Sequence, residues 1–242
     1  MATVVLVHGT TAGGWVWRKV APRLRAEGHS VYTPTLTGLG ERDHLASPSV
    51  DLDTHVADVV NTIEYEDLED VVLVGHSYGG MVITGAADRL PGKVAGLVYF
   101  DAIVPRDGES LVDLQPAERR AETERRVAEG GQGWLIPLAT GPNDVATHNT
   151  PHPYRTWTQK VSIQDQGAVD RVPAVYVLFT KDKGPGGAFH RRMSVSLGRA
   201  RSADWPIYEV DSVHQITPDP DPKADVLVRI LREHFRSNGS VA

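Results

Sequence analysis

The stretch Val71-Val72-Leu73-Val74-Gly75-His76-Ser77-Tyr78-Gly79-Gly80-Met81-Val82-Ile83 decides how the chain is read. Val71–Val74 is a short apolar run rich in β-branched residues, with the length and composition of a strand buried on both faces. Ser77 follows in the pattern Gly75-X-Ser77-X-Gly79, and helical spacing continues through Thr84, Ala86, Ala87 and Leu90. A strand, a G-x-S-x-G turn and a helix are what a nucleophile elbow requires. The turn is so tight that side chains two residues either side of the serine would collide, and Gly75 and Gly79 have none. The hydroxyl is then held above the strand ends at a helix N-terminus, where unpaired N–H groups favour developing negative charge.

Working outward, Thr3–Val7 reads as a buried strand followed by the glycine-rich loop His8-Gly9-Thr10-Thr11-Ala12-Gly13-Gly14. Trp15 to Glu27 has helical spacing, interrupted in principle by Pro22 and stopped by Gly28. Ser30–Tyr32 is a second strand, and Asp53 is a plausible N-cap for a helix running to about Glu64. After the elbow helix, Val94–Phe100 is the fourth strand, Ala174–Phe179 the fifth and Trp205–Val210 the sixth, with a closing helix over Lys223–Phe235. Between Pro105 and Val172 the alternation stops. Glu118 to Glu129 reads as an exposed, charged helix, and Asn149-Thr150-Pro151-His152-Pro153 is turn chemistry. A structureless loop of that length is improbable in a compact domain, so the segment reads as a helical insertion covering something. Alternating strands and helices imply a parallel sheet with helices on both faces.

Composition narrows the function classes. A chain of 242 residues is one domain, or one plus an insertion, and its 40% hydrophobic content can fill a sizeable core. Net charge is −6, from 25 basic and 31 acidic residues, which argues against nucleic acid and anionic membranes as partners. There are no cysteines, so disulfides, thiolate chemistry and cysteine-based metal sites are excluded. No stretch is long enough to span a bilayer and the N-terminus lacks signal-peptide features, so a cytoplasmic location is expected. A homodimer is compatible with the sequence, which is otherwise silent on oligomeric state.

Ligands of such sheets lie outside the carboxyl ends of the strands. There stand His8-Gly9-Thr10, Ser77, Asp101, Asp182 and His214. A serine hydroxyl is a weak nucleophile until a base removes its proton, and that base is usually a histidine oriented by a carboxylate. Ser77, Asp182 and His214 occur in one of the recurrent chain orders of that triad. His214 follows the last strand, where a loop can swing it over Ser77, whereas the side chain of His76 should point away from the reaction centre. Either Asp182 or Asp101 could reach the imidazole, with Asp101 read preferentially as a capping or supporting carboxylate. The oxyanion needs two converging donors: the Tyr78 amide, directly after the nucleophile, and the Thr10 amide in the first loop. No H-E-x-x-H spacing occurs, and the glycine-rich loop lacks both G-x-x-x-x-G-K-[ST] and G-x-G-x-x-G, so neither a metal nor any other cofactor is expected.

Val5-Leu6-Val7-His8-Gly9, Gly13-Gly14-Trp15-Val16-Trp17 and Val74-Gly75-His76-Ser77-Tyr78-Gly79-Gly80-Met81 resemble the α/β-hydrolase group that contains plant methyl esterases, hydroxynitrile lyases and bacterial pyrethroid-type esterases. The resemblance implies the α/β-hydrolase fold, with six parallel strands flanked by helices. It divides the chain into a core of residues 1–104 and 172–242 and a helical cap of residues 105–171. Thr180-Lys181-Asp182-Lys183-Gly184 is similar to the acid loop of the plant methyl esterases, which favours Asp182 as the triad acid. Trp134, Ile136, Leu138 and Trp157 would be cap residues near the substrate pocket, or equally would pack cap onto core.

The expected activity is hydrolysis of a carboxylic ester or lactone of a small, largely apolar molecule. The alternatives are a lyase cleaving cyanohydrins on the same residues and a small-ligand receptor with residual hydrolase activity. By resemblance, the lyases carry a lysine directly after the catalytic histidine and a threonine after the histidine of the first loop. Here those positions are Gln215 and Gly9, which favours the esterase.

Overall fold

The computed structural model describes residues 1–138, 148–181, 188–217 and 220–235, and the statements below concern these. In chain order the core elements are β1 (Thr3–Val7), a 3-10 turn at Gly14–Trp17, α1 (Val20–Ala26), β2 (Ser30–Tyr32), α2 (Leu52–Tyr65), β3 (Val71–His76), α3 (Gly79–Arg89) and β4 (Val94–Phe100). An insertion follows, with α4 (Ala117–Gly130), β5 (Leu135–Ile136), β6 (His152–Pro153), α5 (Arg155–Thr158) and α6 (Gln166–Arg171). The core resumes with β7 (Ala174–Phe179), α7 (Ala188–Ser202), β8 (Ile207–Val210) and α8 (Pro220–His234).

The main sheet has six strands in the order β2-β1-β3-β4-β7-β8, and every pairing in it is parallel. β3 and β7 are buried at every position, as the central strands of a sheet covered on both faces must be. The edge strands β2 and β8 are only partly buried. Alternate residues feed two separate cores. Val5, Leu73, Tyr99 and Tyr176 face the layer built from α2, α3 and α7. Val4, Val74, Phe100 and Val177 face the layer of α1 and α8.

Several expectations need correction. The run from Trp15 to Glu27 is two elements, a 3-10 turn and α1, with Pro22 in the first turn of α1, where its missing N–H has no helical partner to lose. The cap of α2 is Asp51, not Asp53: the Thr54 N–H donates to Asp51 Oδ1 at 3.0 Å, and the Thr54 hydroxyl faces the Asp51 N–H in a reciprocal box. The insertion is not wholly helical. β5 and β6 form a small antiparallel ribbon, so His152 and Pro153 lie in a strand and not a turn. α7 has no counterpart in the sequence reading, although Met193, Leu197 and Ala200 are buried at helical spacing. Among the described residues no helix is long and apolar enough to cross a membrane.

Candidate active site

The elbow is built as its glycines require. Ser77 adopts φ +55°, a left-handed conformation unusual for a residue with a side chain. Two backbone bonds hold it there: the Ser77 carbonyl accepts from Gly80 N–H (3.2 Å) and from Ile103 N–H (3.0 Å). A Cβ on Gly75 would come 2.6 Å from the Gly79 carbonyl oxygen, and one on Gly79 would come 2.8 Å from that of Val7. Of the residues from 71 to 87, Ser77 is the one that is not buried. A half-exposed hydroxyl in an otherwise sealed strand–helix junction is presented to whatever lies above the sheet.

His214 stands in the loop between β8 and α8, with its Nδ1 2.8 Å from Asp101 Oδ2. A carboxylate only accepts, so Nδ1–H donates. Asp101 follows β4 directly and is fully buried, at φ +47°. Its N–H donates to the Val177 carbonyl at 2.8 Å, and its Oδ1 accepts the Phe179 N–H at 3.2 Å. Both carboxylate oxygens are therefore engaged, one by the strand beside it and one by the imidazole. Of the two acids that the sequence offers to the imidazole, Asp101 makes this contact. Asp182, which the family resemblance favours, lies outside the described residues.

His76 packs behind the His214 loop. Its ring points to the opposite sheet face from Ser77, into the layer with Trp17 and Phe179, but there it meets the back of the His214 loop. The His76 and His214 rings are 4.5 Å apart, and His76 Nε2–H donates to the His214 carbonyl at 2.8 Å. Burial, then the neighbouring His214, hold the His76 pKa well below that of a free histidine, so it serves this bond as a neutral donor.

The first loop runs against Ser77. A Cβ on Gly9 would come 2.9 Å from Ser77 Cβ and 3.1 Å from His76 Nδ1, so only glycine fits without a shift. His8 Nε2 accepts the Leu36 N–H at 3.0 Å, which leaves the proton on Nδ1 to be donated to the Gly9 carbonyl at 2.9 Å. In a trans peptide the N–H points opposite to the C=O, so holding the Gly9 carbonyl aims the Thr10 N–H the other way. The Tyr78 side chain is fully buried, and its hydroxyl donates to His55 Nδ1 at 2.9 Å while His55 Nε2–H donates to the Thr37 carbonyl at 2.9 Å. Burial lowers the pKa of His8 and of His55 to about 4 and takes His152 well below the ordinary value. These three histidines are spent on hydrogen bonds, and among the described residues no cluster of three potential ligands could hold a metal ion.

The four insertion residues divide. Ile136 and Trp157 are buried in the same apolar cluster as Val56, Tyr78 and Val82, so they pack the insertion onto the core. Trp134 and Leu138 are half-buried. Gln215, the position of the lyase lysine, is exposed.

With this arrangement established, comparison with known proteins is decisive for the family. The model of the alpha/beta hydrolase family matches residues 4–226. The chain belongs to the alpha/beta hydrolase family. A carbendazim hydrolyzing esterase of Nocardioides sp. (strain SG-4G) is 40% identical to this hydrolase over 198 residues, 81% of this chain and 79% of that one. An alpha-hydroxynitrile lyase of Arabidopsis thaliana is 34% identical over 102 residues, covering 42% of this chain and 40% of the lyase. Among solved structures, an extracellular alpha/beta-hydrolase from a Paenibacillus species, described as sharing structural and functional homology with tobacco salicylic acid binding protein 2, superposes with a TM-score of 0.79. It is 28% identical and the match covers 95% of this chain and 98% of that one.

Proposed function

We propose that this α/β-hydrolase cleaves a carboxylic ester or lactone of a small, largely apolar substrate through an acyl-enzyme, with Ser77 as nucleophile, His214 as base and Asp101 as the orienting carboxylate. The observations that carry this reading are the His214 Nδ1–Asp101 Oδ2 contact of 2.8 Å and a serine held at φ +55° in the elbow. The carbendazim hydrolyzing esterase supports the hydrolytic side of it, since it matches across 81% of this chain.

In this mechanism Ser77 Oγ bonds to the acyl carbon while His214 Nε2 takes its proton. The tetrahedral oxyanion accepts hydrogen bonds from the Thr10 and Tyr78 amides. His214 then protonates the alcohol oxygen as its bond to the acyl carbon breaks. Water attacks the acyl-enzyme, gives a proton to His214, and the acid leaves as that proton returns to Ser77 Oγ. Asp101 fixes the imidazole tautomer and stabilises the imidazolium. Residues 105–171 act as the cap over this site, with Trp134 and Leu138 toward the substrate and Ile136 and Trp157 joining cap to core. The lyase alternative is disfavoured because Gly9 leaves no room for a threonine side chain beside Ser77 and Gln215 brings no positive charge.

Two incubations test the assignment. A fluorophosphonate should label Ser77 alone, and p-nitrophenyl acetate should turn over while mandelonitrile releases no cyanide above background. An adduct on another serine, or rapid cyanide release without ester hydrolysis, overturns it.

A further inference from the structure

Through one side chain the insertion touches Tyr78 and Thr11, the residue next to Thr10. His152 is fully buried, 141 residues away in sequence from Thr11, whose N–H donates to its Nδ1 at 3.2 Å. Since Thr11 supplies the proton of that bond, the ring carries its own on Nε2 and donates it to Thr156 Oγ1 at 2.8 Å. That hydroxyl passes its proton to the Pro153 carbonyl at 2.8 Å. The same ring packs edge-on against Tyr78, with centroids 5.1 Å apart. Thr11 needs such restraint, because it sits at φ +63° without being glycine. The Thr150 N–H donates to the Thr11 carbonyl at 2.9 Å, so residues of the insertion hold both polar groups of Thr11. The Thr10–Thr11 peptide, which directly follows the one carrying the Thr10 N–H, is thus held through the Thr11 N–H, and the Thr11 hydroxyl donates to its carbonyl at 2.6 Å.

We infer that His152 is a positioning residue for the oxyanion hole: by holding the Thr10–Thr11 peptide on one side and the Tyr78 ring on the other, it keeps the Thr10 and Tyr78 amides converged on one point. The inference rests on the proposed ester hydrolysis at Ser77. Donors act on the transition state only when already aimed at the position of the oxyanion, so a small misplacement lowers kcat and leaves ground-state binding alone.

The experiment uses the full chain and separates the two ring nitrogens. His152→Asn places an acceptor near the position of Nδ1 and keeps the bond from Thr11. His152→Gln places a donor near Nε2 and keeps the bond to Thr156, but not the one from Thr11. The Asn variant should keep kcat within about threefold. The Gln variant should lose roughly tenfold to hundredfold in kcat, less than the 10²–10³ that outright loss of a donor costs. Its KM for p-nitrophenyl acetate should stay within about twofold, and its affinity for phenylboronic acid, which mimics the tetrahedral state, should fall in proportion to kcat. A purely structural His152 predicts instead that Asn and Gln lose activity equally, or that losses follow Tm, and either result overturns the inference. The hydrolase reading fails separately, if Ser77→Ala retains turnover. If it does not, and fluorophosphonate still labels Ser77 in the His152 variants, the result for His152 stands by itself.

Discussion

The elbow and the insertion are specified in opposite ways. Residues 71–90 rely on what is near in sequence: an apolar strand, two glycines that admit a turn, and a helix with nine buried residues. The insertion, between β4 and β7, has little core of its own. In α4 only Thr123 and Val127 are buried, and its charged face carries exposed pairs such as Arg120–Glu124 and Arg125–Glu129. What ties it down is contact distant in sequence, apolar through residues such as Ile136, Trp157 and Ile163 in the cluster with Tyr78, and polar besides. Asp88 accepts the Gln164 and Asp165 N–H groups at 3.0 Å, Gln159 Nε2 donates to Asp53 at 2.6 Å, and Arg199 pairs with Glu109 at 2.7 Å. The lesson is that the serine turn is a local invention, whereas its surroundings are a tertiary one.

The sharpest way to break this contrast is at the elbow. Ser77→Ala should lower kcat by about 10⁶, the loss seen when a serine-hydrolase nucleophile is removed; initial rates with p-nitrophenyl acetate measure it, and retained turnover would make the turn merely structural. Next comes the junction, where β4 passes into the insertion. Asp101→Asn should cost about 10⁴ in kcat, as amide replacement of a triad carboxylate does, and far more than Asp182→Asn. The reverse ranking in folded proteins would move the acid role to Asp182.

The third prediction probes the polar joint between the two regions. His8 and His55 are buried and neutral, each lowered to about 4 from an ordinary value of 6.5. The unfolded chain therefore binds protons more readily than the fold does. Stability is complete above about pH 6.5 and falls as pH drops toward 4, by roughly 3 kcal/mol for each of the two at pH 4. Urea midpoints at pH 7, 5.5 and 4.5 should decline in that order, and a flat series would show that these rings are not held neutral. The smallest effect belongs to the insertion's surface. Arg125→Ala removes exposed, solvent-screened pairs with Glu122 and Glu129 and should leave those urea midpoints unchanged.

The sheet was legible in the sequence because central parallel strands are continuous apolar runs, and β1, β3, β4 and β7 needed little else. Ser77 and His214 were legible because a glycine-flanked serine and a histidine after the last strand carry local signals. Asp101 was visible as one of two acids able to reach His214, but nothing in 113 residues of separation chose between them. His55 and His152 gave no signal at all. A histidine in an amphipathic helix and one between two prolines read as surface or turn residues until the fold brings them within ring contact of each other and of Tyr78. α7 was missed because its arginines mask a sparse apolar spacing.

The Ile103 N–H that holds the Ser77 carbonyl has a consequence for recombination. The chain leaving β4 crosses so close to the elbow that a Cβ on Gly80 would come 1.9 Å from the Ile103 carbonyl oxygen. One residue later, the Val104 N–H donates to Ser196 Oγ at 2.9 Å and its carbonyl accepts from Arg199 at 2.6 Å. These residues travel with Ser77 even though they already lie on the way into the insertion. A chimera that imports a relative's insertion to change substrate preference should therefore splice beyond Val104. One cut at the end of β4 would replace the backbone that keeps the serine in its strained conformation.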